Sequence, residues 1–372
     1  MSTENHIESM LRYEPFELDA DEKSKVFGTA MHEAFKHHME NNELFSNYCL
    51  NQGFKLDKMP ETLADYPYLA VNVFKKKRLI SVPEDEIKTV LNSSATTGTP
   101  STIVLDFITS KRQTFASAKV MAHYLGNHRR PFLILDDDPI KSHSSKISAR
   151  GAATTGFLML SSRSDYFVTS ESHQLNLDID KLEKAINNYE DSNQEICVFG
   201  FTFILYHCAV KALKEKGVSF KLPANSKIVH IGGWKKLEAQ KVTKEQFVRD
   251  VSDVLGVSED NIFDFYGFTE QMGLLYVSLG FGLKTVPLYS EIIIRDYQSL
   301  EPVKDGNEGL IQILTPLPHS YPGISVLTED VGRITGRGKD SQGRIGTQFE
   351  VLGRAKKAEA RGCGDIMAEF IA

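Results

Sequence analysis

From about residue 100 to about residue 266, short apolar runs alternate with stretches whose apolar residues recur at helical spacing. Pro131–Leu135, Tyr166–Val168, Ile196–Phe199, Lys227–Ile231 and Ile262–Phe265 read as strands, and Gln113–Leu125, Asp178–Tyr189, Thr202–Lys216 and Thr243–Leu255 as helices between them. Such alternation predicts an α/β fold with a mainly parallel sheet covered by helices, whose ligands bind in the loops at the carboxyl ends of strands. Upstream, Asp19-Ala20-Asp21-Glu22 has the form of a helix start with an acid three residues after the cap. Phe27, Met31, Ala34, Phe35 and Met39 follow at helical spacing, so residues 20–50 should be mostly helical. The run Lys75-Lys76-Lys77-Arg78 reads as a solvated strand end or as a flank for a negatively charged ligand or partner.

After about residue 285 the pattern changes. Glu291–Arg295, Leu310–Leu314 and Ser325–Leu327 are short strand-like runs, separated by Asp305-Gly306-Asn307 and Pro322-Gly323 turns. They predict a small β-rich subdomain, with polar Gly336–Gly346 as an exposed hairpin end. The expected organisation is an α/β body over 1–352, made of a helical N-terminal part (1–90), a parallel-sheet core (91–285) and the β-rich subdomain (286–352), followed by a hinge and cysteine-bearing tail (353–372).

Composition narrows the class. A net charge of −6, with both signs interspersed, points to no nucleic-acid or anionic-membrane surface. No run approaches the ~18 apolar residues of a membrane helix, and the polar start lacks a signal-peptide pattern. Four cysteines without paired spacing read as reduced thiols, so a cytoplasmic protein is expected.

Candidate chemistry sits at strand edges. In Asn92–Ser101, Ser93, Ser94, Thr96, Thr97 and Gly98 gather hydroxyls and a glycine ahead of the apolar run Ile103-Val104-Leu105. That composition lets N–H and O–H groups converge on an anion such as a triphosphate, although a solvated turn has the same composition. Tyr266-Gly267-Phe268-Thr269-Glu270 follows a predicted strand: a ring to stack on a purine, a glycine for close approach, a hydroxyl for phosphate and a carboxylate for Mg²⁺. Asp330 ends another strand-like run, where a carboxylate suits ribose hydroxyls, and Gly353-Arg354 follows a further strand. Gly232-Gly233 forms a turn after the strand Lys227–Ile231.

Taken in order, these segments resemble the adenylate-forming superfamily of acyl-CoA synthetases, firefly luciferase and peptide-synthetase adenylation domains. The resemblance implies a phosphate loop at Ser93–Gly98, a Tyr-Gly-x-Thr-Glu motif at Tyr266–Glu270, a ribose-binding Asp330 and a hinge at Arg354. The loop departs from the family pattern at Ala95, where a glycine is usual, and at Ser101, where a lysine is usual. Where standard members carry a mobile domain with a catalytic lysine, only a short tail bearing Gly362-Cys363-Gly364 follows Arg354.

That tail, with Gly232-Gly233-Trp234-Lys235 and the segment Ser320–Gly332, resembles the acyl-protein synthetase family of bacterial bioluminescence, the long-chain fatty acid luciferin-component ligases. The resemblance implies ATP and Mg²⁺ as cofactors and a fatty acid activated to acyl-AMP. It also implies transfer of the acyl group to Cys363 as a thioester and delivery to a partner such as a fatty acyl reductase. Two other readings share the motifs: a coenzyme A ligase of the phenylacetate-CoA ligase type, and a nucleotide-binding pseudo-enzyme. The remaining candidates read as structural. Cys197 and Cys208 lie in apolar segments, His207 suits a helix, and Trp234 fits either packing or adenine contact.

Overall fold

The computed structural model describes residues 5–93, 100–136, 138, 154, 156–171, 174–234, 240–280 and 282–355. The chain divides into two compact units, one of Met1–Val120 with Phe268–Tyr276 and Lys284–Ala372, the other of Met121–Gly267 with Val277–Leu283.

The first unit opens with three helices, α1 (His6–Met10), α2 (Ala20–Asn41) and α3 (Glu43–Asn51). A reciprocal cap starts α2: Glu22 N–H donates to the Asp19 carboxylate at 2.9 Å, and Asp19 N–H donates to the Glu22 carboxylate at 3.3 Å. Phe27, Met31, Ala34, Phe35 and Met39 are all buried, as their spacing predicts. Asn42 ends α2 and caps α3, its side chain accepting from Phe45 N–H at 2.9 Å.

The unit's main sheet has strands β12 (Lys284–Thr285), β16 (Ile345–Arg354), β15 (Ser325–Lys339), β14 (Gly309–Leu314) and β13 (Glu291–Arg295) in that spatial order, antiparallel throughout. A two-residue strand, β1 (Leu69–Ala70), pairs parallel with β15 at Val326 and Leu327. It leads into one helical turn, α4 (Val73–Lys76). β15 is far longer than the Ser325–Leu327 run. Its outer half alternates polar residues with glycines, as a solvent-exposed ribbon does, so the periodicity of an apolar face is missing there. Gly336–Gly346 is accordingly the last part of a long hairpin, with β15 reaching Lys339 and β16 beginning at Ile345.

A separate hairpin joins β2 (Thr89–Asn92) to β3 (Thr102–Leu105), and α5 (Phe107–Leu125) follows. The helix starts six residues before the sequence reading, at Phe107. Asp106 sets that start by accepting from Thr109 N–H at 2.7 Å, while exposed Phe107 and Ile108 spoil the apolar-face pattern of the first turn. Lys75–Arg78 proves to be the end of α4 and the extended chain after it, not a strand end.

The second unit holds the mainly parallel sheet, in the order β11 (Tyr276–Leu279), β10 (Ile262–Tyr266), β9 (Lys227–Ile231), β8 (Cys197–Phe201), β4 (Arg130–Leu135) and β5 (Ser161–Tyr166). Every pairing from β10 to β5 is parallel. The central strands β8, β9 and β4 are buried nearly throughout, which explains their uninterrupted apolar runs. Tyr166–Val168 is not one strand. The chain breaks at Phe167, and Val168–Glu171 (β6) turns into a hairpin with Gln174–Leu177 (β7).

Three helical segments connect these strands: α6 (Ile179–Asp191), a segment made of Thr202–Ile204, a π-helical stretch Leu205–Val210 and Lys211–Lys216 (α7), and α8 (Lys244–Leu255). Mixed parallel sheet with helices plus an antiparallel subdomain is the fold class expected from the sequence.

Candidate active site

The first unit assembles a carboxylate site from three pieces of chain. Ser93 and Ser101 close the base of the hydroxyl-rich loop. Ser93 N–H donates to Ser101 O at 3.0 Å, and Ser101 N–H donates to Ser93 Oγ at 2.8 Å. Ser94, Thr96, Thr97 and Gly98 lie outside the described residues. Ser101 is fully buried, and its hydroxyl has no hydrogen-bond partner among the described residues.

Facing Ser101 is Glu270, on the single 3₁₀ turn Thr269–Gln271. Glu270 is buried, whereas Thr269 is half-buried. The turn is held by its backbone and by Gln271. Tyr321 O–H donates to Glu270 O at 2.9 Å, and Gln271 Nε2 donates to Ile313 O at 3.0 Å and to Gly323 O at 2.8 Å. Tyr321 in turn accepts from Gln113 Nε2 at 3.3 Å. Gly323 has to be glycine, since a Cβ there would lie 2.3 Å from the Tyr321 ring and 2.9 Å from Glu270 O. The carboxylate is thereby fixed from behind, and among the described residues no cation forms an ion pair with it.

Electrostatics follow from this burial. Loss of solvent pushes the Glu270 carboxyl above the ordinary glutamate range. The nearby Ser101 hydroxyl, its own backbone N–H and the charges of Lys75 and Arg354 act in the opposite sense but do not cancel it. Ser101 is thus close enough to influence the acid without a hydrogen bond of ordinary geometry. A cation would relieve Glu270 of its desolvation cost, and the orphaned hydroxyl oxygen beside it is a second hard ligand, so the pair fits Mg²⁺. Among the described residues no group of three or more His, Cys, Asp or Glu could hold a metal alone. Phosphate and water oxygens would therefore complete its shell.

Asp330 and Arg354 sit opposite each other in the β15–β16 ladder, and their side chains form an ion pair at 3.6 Å. Arg354 is mostly exposed, and Asp330 is partly so. Next to Asp330, Glu329 meets Lys75 Nζ at 4.0 Å, and Ala355 N–H donates to Glu329 O at 2.9 Å. The first unit therefore gathers Ser93, Ser101, Glu270, Asp330 and Arg354.

In the second unit, Tyr266 and Gly267 lie at and just after the carboxyl end of β10, and Gly232 and Gly233 just after β9. Gly232 takes a left-handed φ of +79°, and its carbonyl accepts from Thr202 Oγ1 at 2.5 Å; Gly233 has open space where a side chain would be. Trp234 is buried against Tyr206, His207 and Phe247, which commits its ring to packing.

His207 lies in the π-helical stretch, with its pKa lowered by burial and by Lys211. Burial pushes the Cys197 thiol up to about 12 and raises that of Cys208, so neither is set up as a nucleophile. An open pocket of about 480 Å³ beside α7 is lined by Tyr206, His207, Lys211, Lys214, Glu215 and Asp250, among others. Cys363 lies outside the described residues. The supporting roles of Tyr321, Gln113 and Gly323 were not legible in the sequence, which marked the place only through the Ser320–Gly332 segment and the Pro322-Gly323 turn; Gln113 reaches Tyr321 across 208 residues of chain.

The fold is that of adenylate-forming ligases. The chain superposes on 2-hydroxyisobutyryl-CoA ligase, solved in an open conformation with 2-HIB-AMP and CoA, with a TM-score of 0.65 and 13% identity over 91% of this chain and 76% of that one. A second state of that ligase, with 2-HIB-AMP and CoA in thioesterification, gives a TM-score of 0.67 at 14% identity, over 91% of this chain and 70% of that one. Residues 1–372 match the family model of the LuxE acyl-protein synthetases, and the chain belongs to that family of ligases. It is 25% identical to the long-chain-fatty-acid–luciferin-component ligase of Aliivibrio fischeri, over 96% of this chain and 92% of that protein. The corresponding ligase of Vibrio harveyi is 23% identical, over 95% of this chain and 90% of that one.

Proposed function

We propose that this acyl-protein synthetase activates a long-chain fatty acid with ATP and then carries the acyl group on Cys363. The observation that supports this most is the buried Glu270 carboxylate, backed by Tyr321 and faced by an unpartnered Ser101 hydroxyl, in one unit with the Asp330–Arg354 pair. A buried acid without a bound cation costs free energy, and it is retained where charge has to be met. Mg²⁺ held by Glu270 and Ser101 would neutralise phosphate charge as it develops on the leaving group.

In the first step a carboxylate oxygen attacks the α-phosphorus. An O–P bond forms, the bond from that phosphorus to the bridging oxygen breaks, and pyrophosphate leaves with its electron pair. Asp330 would accept the ribose hydroxyls, and Ser94, Thr96, Thr97, Gly98 and Thr269 would donate to phosphate oxygens. Adenylation is needed because a free carboxylate has too basic a leaving oxygen to be displaced.

In the second step the Cys363 thiolate attacks the acyl carbon. A C–S bond forms, the C–O bond to AMP breaks, and the thiol proton goes to solvent. Gly362 and Gly364, its neighbours in sequence, carry no side chain that could cover a thiol, and Lys356, Lys357 and Arg361, close in sequence, would favour its ionised form. The thioester then passes to an acyl-accepting protein in the cytoplasm, such as a fatty acyl reductase. Incubation with MgATP, a labelled fatty acid and coenzyme A tests the reading: intact mass should show one thiol-bound acyl group on the protein. Label appearing on coenzyme A instead would favour the coenzyme A ligase reading.

A further inference from the structure

The site carries more negative than positive charge for a protein meant to bind a triphosphate. Glu329 and Asp330 are consecutive on β15, the two cations that meet them, Lys75 and Arg354, also act on Glu270, and Ser101 beside Glu270 carries no charge. Arg354 is already paired with Asp330. One other described cation enters this group, and its position is set by the fold rather than by a free surface side chain.

β1 lies parallel to β15, and Val71 N–H donates to Leu327 O at 2.9 Å, so the chain runs alongside the strand that ends in Thr328-Glu329-Asp330. α4 then turns with Val73 and Phe74 buried, and Phe74 packs edge-on against Tyr321 at 6.1 Å between ring centres. Tyr321 is the residue that holds Glu270 in place. α4 is therefore fixed between β15, which carries Glu329, and Tyr321, which supports Glu270, and the next residue, Lys75, presents its ammonium to Glu329 within electrostatic range of Glu270. Its charge acts on Glu270, and its Nζ rests 4.0 Å from the Glu329 carboxylate. That contact is long and about one-third exposed, so it contributes little stability and is easily exchanged for a stronger anion.

We propose, resting on the ATP-dependent reading above, that Lys75 binds the β- and γ-phosphates of ATP, supplying from α4 the cation that Ser101 does not supply. On substrate binding the ammonium leaves Glu329 for phosphate oxygens. As a point charge on a flexible stem it suits a triphosphate without bidentate geometry. The Lys75–Arg78 run contains this residue by virtue of the α4 geometry, and Lys77 falls beyond the turn.

The test compares binding of ATP, pyrophosphate and AMP by calorimetry, with fatty-acid-dependent ATP–pyrophosphate exchange, for the wild type, Lys75→Met, Lys75→Arg and Lys77→Met. Lys75→Met should weaken ATP and pyrophosphate by roughly tenfold, the scale of one charge-assisted hydrogen bond. AMP should bind within about twofold of wild type, since the ribose and α-phosphate contacts remain. In exchange, KM for ATP should rise more than kcat falls, Lys75→Arg should recover most of the loss, and Lys77→Met should behave as wild type. Unchanged ATP binding in Lys75→Met would overturn the proposal, as would an equal loss for AMP and ATP, which would mean that Lys75 acts through Glu329 and Asp330. A wild-type protein that binds ATP with this contrast yet shows no exchange would remove the adenylation reading while leaving the phosphate role of Lys75 standing.

Discussion

Asp330 and Arg354 are cross-strand partners, one on β15 and one on β16, and their side chains meet at 3.6 Å. Two residues expected to serve separate ends, ribose binding and a hinge, are thus held in one register. The contact is long and its Arg354 side is largely solvent-exposed, so its own contribution to stability is small. Replacing Arg354 by Ala should leave the melting temperature within a degree or two of wild type. Asp330→Ala should weaken AMP and ATP alike, by roughly 10- to 100-fold, the scale of losing hydrogen bonds to a charged acceptor. Titration of both nucleotides checks this, and unchanged AMP binding would remove Asp330 from the ribose.

Glu270 is a case where function and stability should diverge. Its carboxyl is pushed above the glutamate range by burial, so the folded protein holds that proton more tightly than the unfolded chain. The stability linked to this group is present in full below the ordinary pKa of 4.5 and is lost as pH rises through the folded value. Glu270→Gln should therefore melt at a higher temperature than wild type at pH 7, while adenylation falls by roughly 10²-fold or more. Thermal melts at pH 4.5 and pH 7 with exchange assays check both halves; the melting advantage should shrink at the lower pH.

Asp106 has the opposite sign. Burial alone would raise its carboxyl, but hydrogen bonds from His319 Nδ1 at 2.6 Å and from the hydroxyl and N–H of Thr109 outweigh that and hold it at about 2. Its contribution is present above the usual 3.8 and lost as pH falls toward 2. Asp106→Asn keeps a cap, since an amide oxygen can still accept from Thr109 N–H, but removes the charge that His319 and Thr109 stabilise, so a loss of roughly 1.5–3 kcal/mol is expected at pH 7. Urea melts at pH 7 and pH 3 should show a smaller difference between wild type and variant at the lower pH.

The parts of the fold legible in the sequence are those whose burial is uniform along an element. β9 matches its apolar run end to end, because Lys227–Ile231 is buried at every position but the first. α2 was legible from its cap as well as its stripe. β1, the β2–β3 hairpin and the outer half of β15 were not, because two-residue strands and exposed ribbons carry no periodic signal. At the site, the residue types with chemistry of their own stood out: Glu270, Asp330, Arg354. The residues that hold them did not, since Tyr321, Gln113 and Gly323 are informative only once β14, β15 and α5 are packed. Lys75 was visible as charge, and its role became readable only when β1 fixed the direction of α4.

The account rests on separate steps for adenylation and acyl transfer, and Cys363→Ser distinguishes them most directly. Wild type and variant are incubated with MgATP and a labelled fatty acid, then followed by pyrophosphate exchange and by intact mass. A serine hydroxyl without a base is not ionised near neutral pH, so the variant should keep exchange close to wild type and carry no acyl group, whereas Cys49→Ala, Cys197→Ala and Cys208→Ala should still be labelled. An acylated Cys363→Ser protein, or one that loses exchange together with the label, would contradict the account.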